Sequence, residues 1–365
     1  MNSKKVDRVF LWTTLSLVFG GFFLFLSASL GLLAREGGAS FESVFVSQIV
    51  LGLFLGMFAL YFLSRIHYKY VRKISFFFFL LGIILTVCVF VPGIGFAHGG
   101  AKRWIDLRFT TFQPSEVLKL GFVLYFASWL AAAKDKVGTF KGGTLPFLAL
   151  MSIPAILLVL EPDVGTFGVI AIAGAGMFIS AGGKMSHMVV ITLMGILSFA
   201  AVVHYKPYLQ ERINTFLNPE SDPQGSGYQL NQSLIAVGSG QIFGRGFGQS
   251  IQKFGSLPEP TNDSIFAVAS EEFGFAGSST IVLFFLFFAL RGFHIAGRAH
   301  DRWGRIAVIG IVLLIITQSF INIASMVGLF PLTGVPLLFI SHGGSALLFA
   351  LAEVGIILSI SRHRA

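Results

Sequence analysis

The sequence predicts an all-α, polytopic membrane protein of about ten transmembrane helices, with one large extracytoplasmic loop between helices 7 and 8. Three observations predict it. The 365 residues are 55% hydrophobic and only 12% charged, and the mean hydropathy is +0.81, more apolar surface than a water-soluble domain of this length can hide. The apolar stretches are continuous rather than alternating, which favours helices over a membrane barrel. Lys and Arg gather at the ends of those stretches, where they act as topology signals.

The N-terminal MNSKKVDR gives way to an apolar run from Val9 to Leu33, longer than the roughly 7 to 15 residues of a signal-peptide core, so an uncleaved first span is expected. The ten expected spans are 9–33, 44–64, 75–97, 115–133, 145–161, 163–182, 186–203, 265–290, 306–328 and 343–361. Two connections must be tight hairpins, Glu161-Pro162-Asp163 and Gly182-Gly183-Lys184, and Pro162 lacks the amide that would continue a helix. With the N-terminus cytoplasmic, 17 of the 26 Lys and Arg residues fall on that side, from Lys4, Lys5 and Arg8 through the Arg65–Lys73 and Arg291–Arg305 clusters to Arg362 and Arg364. Both termini are therefore expected inside, and the loop 204–264 outside, within one membrane domain covering 1–365.

Composition also excludes. The single cysteine, Cys88, lies in an apolar run and permits no intrachain disulfide. The net charge of +9 is spread over helix ends with no aromatic-interleaved basic patch, so no nucleic-acid partner is expected. The histidines show no HExxH spacing, which argues against a protein-built zinc site, and no nucleophile elbow of the G-x-S-x-G type is evident.

The long loop closes on LPEPTNDSIFAVASEEFG from Leu257, which puts Asp263 at the mouth of a transmembrane helix. A carboxylate where water meets lipid is placed to act on a molecule that is half polar and half lipid. Glu116 and Lys119, at i and i+3 after Pro114, share one helical face; they either neutralise each other or line a polar cavity. Glu161 and Asp163 flank Pro162, and capping of the next helix is the favoured role for Asp163. Glu271 and Glu272 stand at roughly 80° and 180° from Asp263 by helical phase, so structural polar contacts are expected of them. Glu353 is a lone acid in the last span. Gly244, Gly246 and Gly248 read mainly as turn formers, with Arg245 and Lys253 close enough in sequence to approach a lipid-linked phosphate.

KRWIDLRFTTFQPSE from Lys102, EPDVGT from Glu161, NPESDPQGSGYQLNQSLIAVGSG from Asn218, QKFGSLPEPTNDSIFAVASEEFG from Gln252 and PLLFISHGGSA from Pro336 together resemble the SEDS family over nearly the whole chain. That family comprises ten-span bacterial proteins that polymerise lipid II into peptidoglycan. The Gln252-Lys253 pair and the FLNPESDPQGSGYQ segment resemble its division branch, FtsW, more than its elongation branch, RodA. Asp263 takes the place of the family's essential aspartate, although Thr261, Asn262 and Ser264 replace the usual His-Thr and Phe neighbours.

The resemblance implies a glycosyltransferase in the bacterial cytoplasmic membrane, at the division septum, that joins lipid II disaccharides through β-1,4 bonds and releases undecaprenyl diphosphate. Asp263 is the expected general base. Lys119, Glu116, Arg103, Trp104, Arg245 and Lys253 are the expected substrate-binding residues, and a divalent cation such as magnesium or manganese is a further candidate for offsetting the diphosphate charge. A class B penicillin-binding transpeptidase and other divisome membrane proteins are the implied partners. A lipid II flippase, a RodA-like elongation polymerase and a non-enzymatic scaffold are the competing readings. The lack of an internal repeat weighs against a transporter.

Overall fold

Nine helices in this computed structural model are long and apolar enough to cross a bilayer, counted among the described residues, which are 5–34, 41–98, 101–106, 111–222 and 225–363. They are α1 (Arg8–Leu33), α2 (Val44–Arg65), α3 (Tyr68–Cys88), α4 (Pro114–Gly138), α5 (Phe140–Leu160), α7 (Met185–Tyr205), α10 (Ile265–Gly297), α11 (Arg302–Met326) and α12 (Gly344–Arg362). The shorter apolar helix α6 (Val164–Ser180) completes the expected ten. Two further helices, α8 (Pro207–Leu217) and α9 (Ser226–Ser239), lie between α7 and α10. The chain is thus a multi-pass membrane protein, its spans helical because hydrocarbon offers no partner to an unpaired backbone amide. Lys4, Arg364 and the motif residues 107–110, 223 and 224 lie outside the described residues.

One span is displaced from its expected position. The third is Tyr68–Cys88 rather than 75–97, because His67 caps its start by accepting from Lys69 N, and Tyr70, Arg72 and Lys73 ride on the first turns with their polar ends turned outward. The chain released after Cys88 forms a three-stranded antiparallel sheet of β1 (Gly95–His98), β2 (Ala101–Asp106) and β3 (Thr111–Phe112). An all-helical reading misses that sheet, which positions Arg103.

Helix α11 is the hub, packed against α4, α6 and α10, while α12 lies against α2. Helices α3 and α4 approach backbone to backbone through Gly82 and Gly121; a Cβ on Gly82 would sit 2.8 Å from Leu118 Cα, and one on Gly121 would sit 2.8 Å from Phe79 Cα. At the other extreme, α7 shows little but exposed apolar surface, including Val189, Leu193, Leu197 and Phe199.

Helix α10 is broken. Gly274 has φ 66° and ψ −164°, a conformation that costs a glycine little and any other residue much. Ser278 Oγ donates to Ser270 Oγ at 2.8 Å, whereas eight residues of straight helix would separate them by about 12 Å along the axis. The exposed backbone groups at the break are met by the preceding loop: Phe275 N donates to Gln241 O at 2.8 Å and Gly246 N to Glu272 O at 2.9 Å. Asp263 therefore precedes a short buried helical arm rather than the mouth of an unbroken span.

Candidate active site

Asp263 sits in the turn that leads into α10. Ser264 N and Asn262 N both bond Glu259 O, and the turn is fastened to the extended segment before α12 by His342 N to Thr261 O at 2.7 Å and Ser341 Oγ to Asn262 O at 2.7 Å. From α11, Asn322 Nδ2 donates to Asp263 O and to Val335 O, each at 2.9 Å. The backbone is thus fixed on two sides while the carboxyl is left to other uses. Its Oδ1 is buried without a hydrogen-bond partner. Burial first, and the neighbouring Glu259 second, raise this carboxyl to about 6, while Arg212 and Arg103 pull against them.

Asp263 lines a cavity of about 70 Å³ with Arg212, Ser226, Gln229, Asn322 and Gly334. Arg212 comes from α8, whose polar face brings its Nη1 to Thr333 O at 3.2 Å. Gln229, on α9, donates from Nε2 to Ser264 Oγ at 3.1 Å. Arg103, on β2, donates from Nε to Glu161 O at 3.3 Å and from Nη2 to Pro162 O, and its Nη1 is 3.8 Å from Asp163 Oδ1. Asp163 meanwhile caps α6 by accepting from Thr166 N at 3.5 Å. Trp104 pairs with Phe96 across the sheet, and alternation along a strand turns it to the face opposite Arg103.

Glu116 and Lys119 form a buried ion pair of 2.9 Å, and Lys119 Nζ also donates to Gln318 Oε1 at 2.6 Å. Gln318 Nε2 donates in turn to Pro336 O at 3.2 Å. Gln318 and Asn322 are one helical turn apart on α11, so the pair is joined to the Asp263 turn through the Val335–Pro336 backbone. These two charges brace the site from within.

Arg245 and Lys253 are placed elsewhere. Lys253 is fully buried, with Nζ at 2.7 Å from Glu272 Oε1 and donating to Ser27 Oγ and Gly248 O, each at 2.9 Å. Arg245 Nε is 3.3 Å from Glu271 Oε1, and Glu271 also accepts from Ser250 Oγ at 2.6 Å. Glu271 and Glu272 thus take both cations and staple the glycine-rich loop and α1 to the break in α10. Gly244, Gly246 and Gly248 have φ of 77°, 106° and 80°, as turn formers do, and the amides of Gly244 and Gly246 bond carbonyls. By this geometry Lys253 and the amides of Gly244 and Gly246 give their hydrogen bonds to protein acceptors.

Sequence reasoning missed Arg212, Gln229 and Asn322. The amphipathic character of the 207–217 segment is the one signal that could have pointed to Arg212. As for a divalent cation, the carboxyls of Glu161, Asp163 and Asp263 are interleaved with two guanidinium groups, and no three His, Cys, Asp or Glu side chains converge as a cage among the described residues. The positive charge beside these carboxyls is that of Arg103 and Arg212.

The family model of the FtsW, RodA and SpoVE cell cycle proteins matches residues 8–365. The stage V sporulation protein E of Bacillus subtilis is 37% identical over 365 residues, 100% of this chain and 99% of that protein. A probable peptidoglycan glycosyltransferase FtsW of Alcanivorax borkumensis is 37% identical, with 98% and 94% covered. Among solved structures, a chain from a peptidoglycan synthase complex that coordinates polymerization and crosslinking superimposes with a TM-score of 0.80 at 24% identity, covering 98% of each chain. The rod shape determining protein RodA of Thermus thermophilus superimposes with a TM-score of 0.70 at 23% identity, covering 98% and 97%. Both likenesses establish the fold.

Proposed function

From a chain that belongs to the FtsW, RodA and SpoVE family, we infer a peptidoglycan glycosyltransferase that polymerises glycan strands in cell wall synthesis. Curated relatives across more than nine tenths of the chain carry that activity in their names. The substrate is lipid II. The 4-hydroxyl of an acceptor GlcNAc attacks C1 of a donor MurNAc; the new C1–O bond forms as the C1–O bond to undecaprenyl diphosphate breaks, with inversion, and the hydroxyl proton passes to Asp263.

The observation that carries this reading is the placement of Asp263. Its backbone is clamped by Asn322, its Oδ1 has no hydrogen-bond partner, and its raised proton affinity suits a base working near neutral pH. Arg212 and Arg103 act on it electrostatically, so they are close enough to face a departing diphosphate. Glu116 and Lys119 hold the turn rather than the substrate, and Trp104 offers a sugar-stacking surface on the sheet.

The topology that fits this chemistry has both termini in the cytoplasm and the 204–264 loop with Asp263 on the outer side, as the Lys and Arg distribution favours. A class B penicillin-binding transpeptidase is the partner proposed to crosslink the product at the division septum. The test is polymerisation of lipid II by the purified chain in vesicles, with product lengths read on a gel. Folded Asp263→Asn protein that still makes normal strands sinks the assignment. Lipid II that crosses the bilayer without chain growth favours a transporter instead.

A further inference from the structure

Glu161 ends α5 with its side chain 1% exposed, and neither Oε1 nor Oε2 has a hydrogen-bond partner. A carboxylate in that state would be an uncompensated buried charge, which proteins avoid. Arg103 is adjacent yet spends itself otherwise, on the backbone oxygens of Glu161 and Pro162 and on Asp163. The charged and titratable groups that interact with this hairpin are Asp163 within it, Arg103 from β2, Tyr208 and Arg212 from α8, and Asp263 from the turn before α10. Tyr208 Oη and Asp163 Oδ2 are also buried without partners. Burial, and then Asp163, push Glu161 up to about 8, against the pull of Arg103.

We propose that Glu161 is a positioning residue kept as an uncharged acid, so that the positive charge of Arg103, whose donors hold the hairpin, is not cancelled before a polyprenyl diphosphate arrives. With Glu161 neutral, two guanidinium groups already face the carboxylates of Asp163 and Asp263, with Glu259 beside the latter. Ionising Glu161 adds a further negative charge next to Arg103 and repels the incoming diphosphate. The proposal rests on the reading of this cleft as the place where a lipid diphosphate departs.

The experiment measures binding of undecaprenyl diphosphate to the full chain in nanodiscs from pH 7 to 9, for wild type and Glu161→Gln, with thermal melting as the folding control. The wild type is expected to lose roughly tenfold in affinity across that range, as a unit charge placed within several ångströms of the ligand implies. The Gln variant matches wild type at pH 7 and stays flat, once the ligand's own titration, common to both, is subtracted. Parallel curves overturn the proposal, as does a Gln variant that melts normally yet binds tenfold more weakly at pH 7. Glu161→Met supplies a second uncharged side chain of similar length and is read the same way should Gln fail to fold. Lipid II polymerisation is assayed alongside. If the wild type makes no strands while its diphosphate binding still shows the Glu161-dependent alkaline loss, the polymerase reading fails and this one stands.

Discussion

Asn322 Nδ2 lies 2.9 Å from Asp263 O and 2.9 Å from Val335 O, so one side-chain amide ties the turn before α10 to the extended segment before α12. Helix α11 is buried against three neighbours, which makes Asn322 the fixed point from which the carboxyl of Asp263 is aimed. Asn322→Ala takes this donor from the part-buried Asp263 carbonyl and the buried Val335 carbonyl, at a cost of about 1–3 kcal/mol. The expected outcome is a fall in polymerisation of roughly tenfold or more, through misplacement of the base, with a thermal melt that stays cooperative. A variant with unchanged kcat would show that the turn holds itself.

Asp263→Asn preserves size and removes the base, and strand synthesis should fall by roughly two to four orders of magnitude. The pH profile of the wild type carries the sign of the same assignment. A base works ionised, and Asp263 is raised to about 6, so polymerisation should be full above that pH and drop about tenfold per pH unit below it. An acid limb near the ordinary carboxylate range would mean that the cleft is wetter than its burial implies.

Arg212 faces the cleft from a surface helix and contacts Thr333 only through a backbone oxygen. Arg212→Lys keeps the charge and loses the planar fork, whereas Arg212→Ala loses both. If its task is to stabilise the departing diphosphate, Ala should lower kcat by roughly a hundredfold and Lys should recover part of it. Equal losses in both variants would assign the residue to holding Thr333.

Much of the scaffold was legible in the sequence because lipid imposes a simple rule, about twenty apolar residues per helix. The third span shifted because Tyr70, Arg72 and Lys73 read as loop although their stems pack along a helix. The Glu116–Lys119 pair was legible because i, i+3 spacing puts partners side by side. Arg212 was not, since its contact with Thr333 spans 121 residues of sequence. Asp263 stood out by its place in a motif, while Asn322, which aims it, looks like any polar residue in a long apolar helix.

Lys253 shows how closeness in sequence misleads. Ten residues before Asp263 it looked available to a phosphate, yet it is fully buried against Glu272, beside the break at Gly274. Removing one member of such a pair strands the other charge in the interior, so Lys253→Met should destabilise the fold by about 3–5 kcal/mol. Removing both, as Lys253→Met with Glu272→Leu, leaves an apolar contact and should restore most of that loss. Melting temperature and lipid II polymerisation, measured on single and double variants, separate structure from chemistry. A double variant that melts like wild type and still polymerises assigns Lys253 to the staple across α1, the loop and α10; one that melts like wild type but makes no strands returns it to the substrate site.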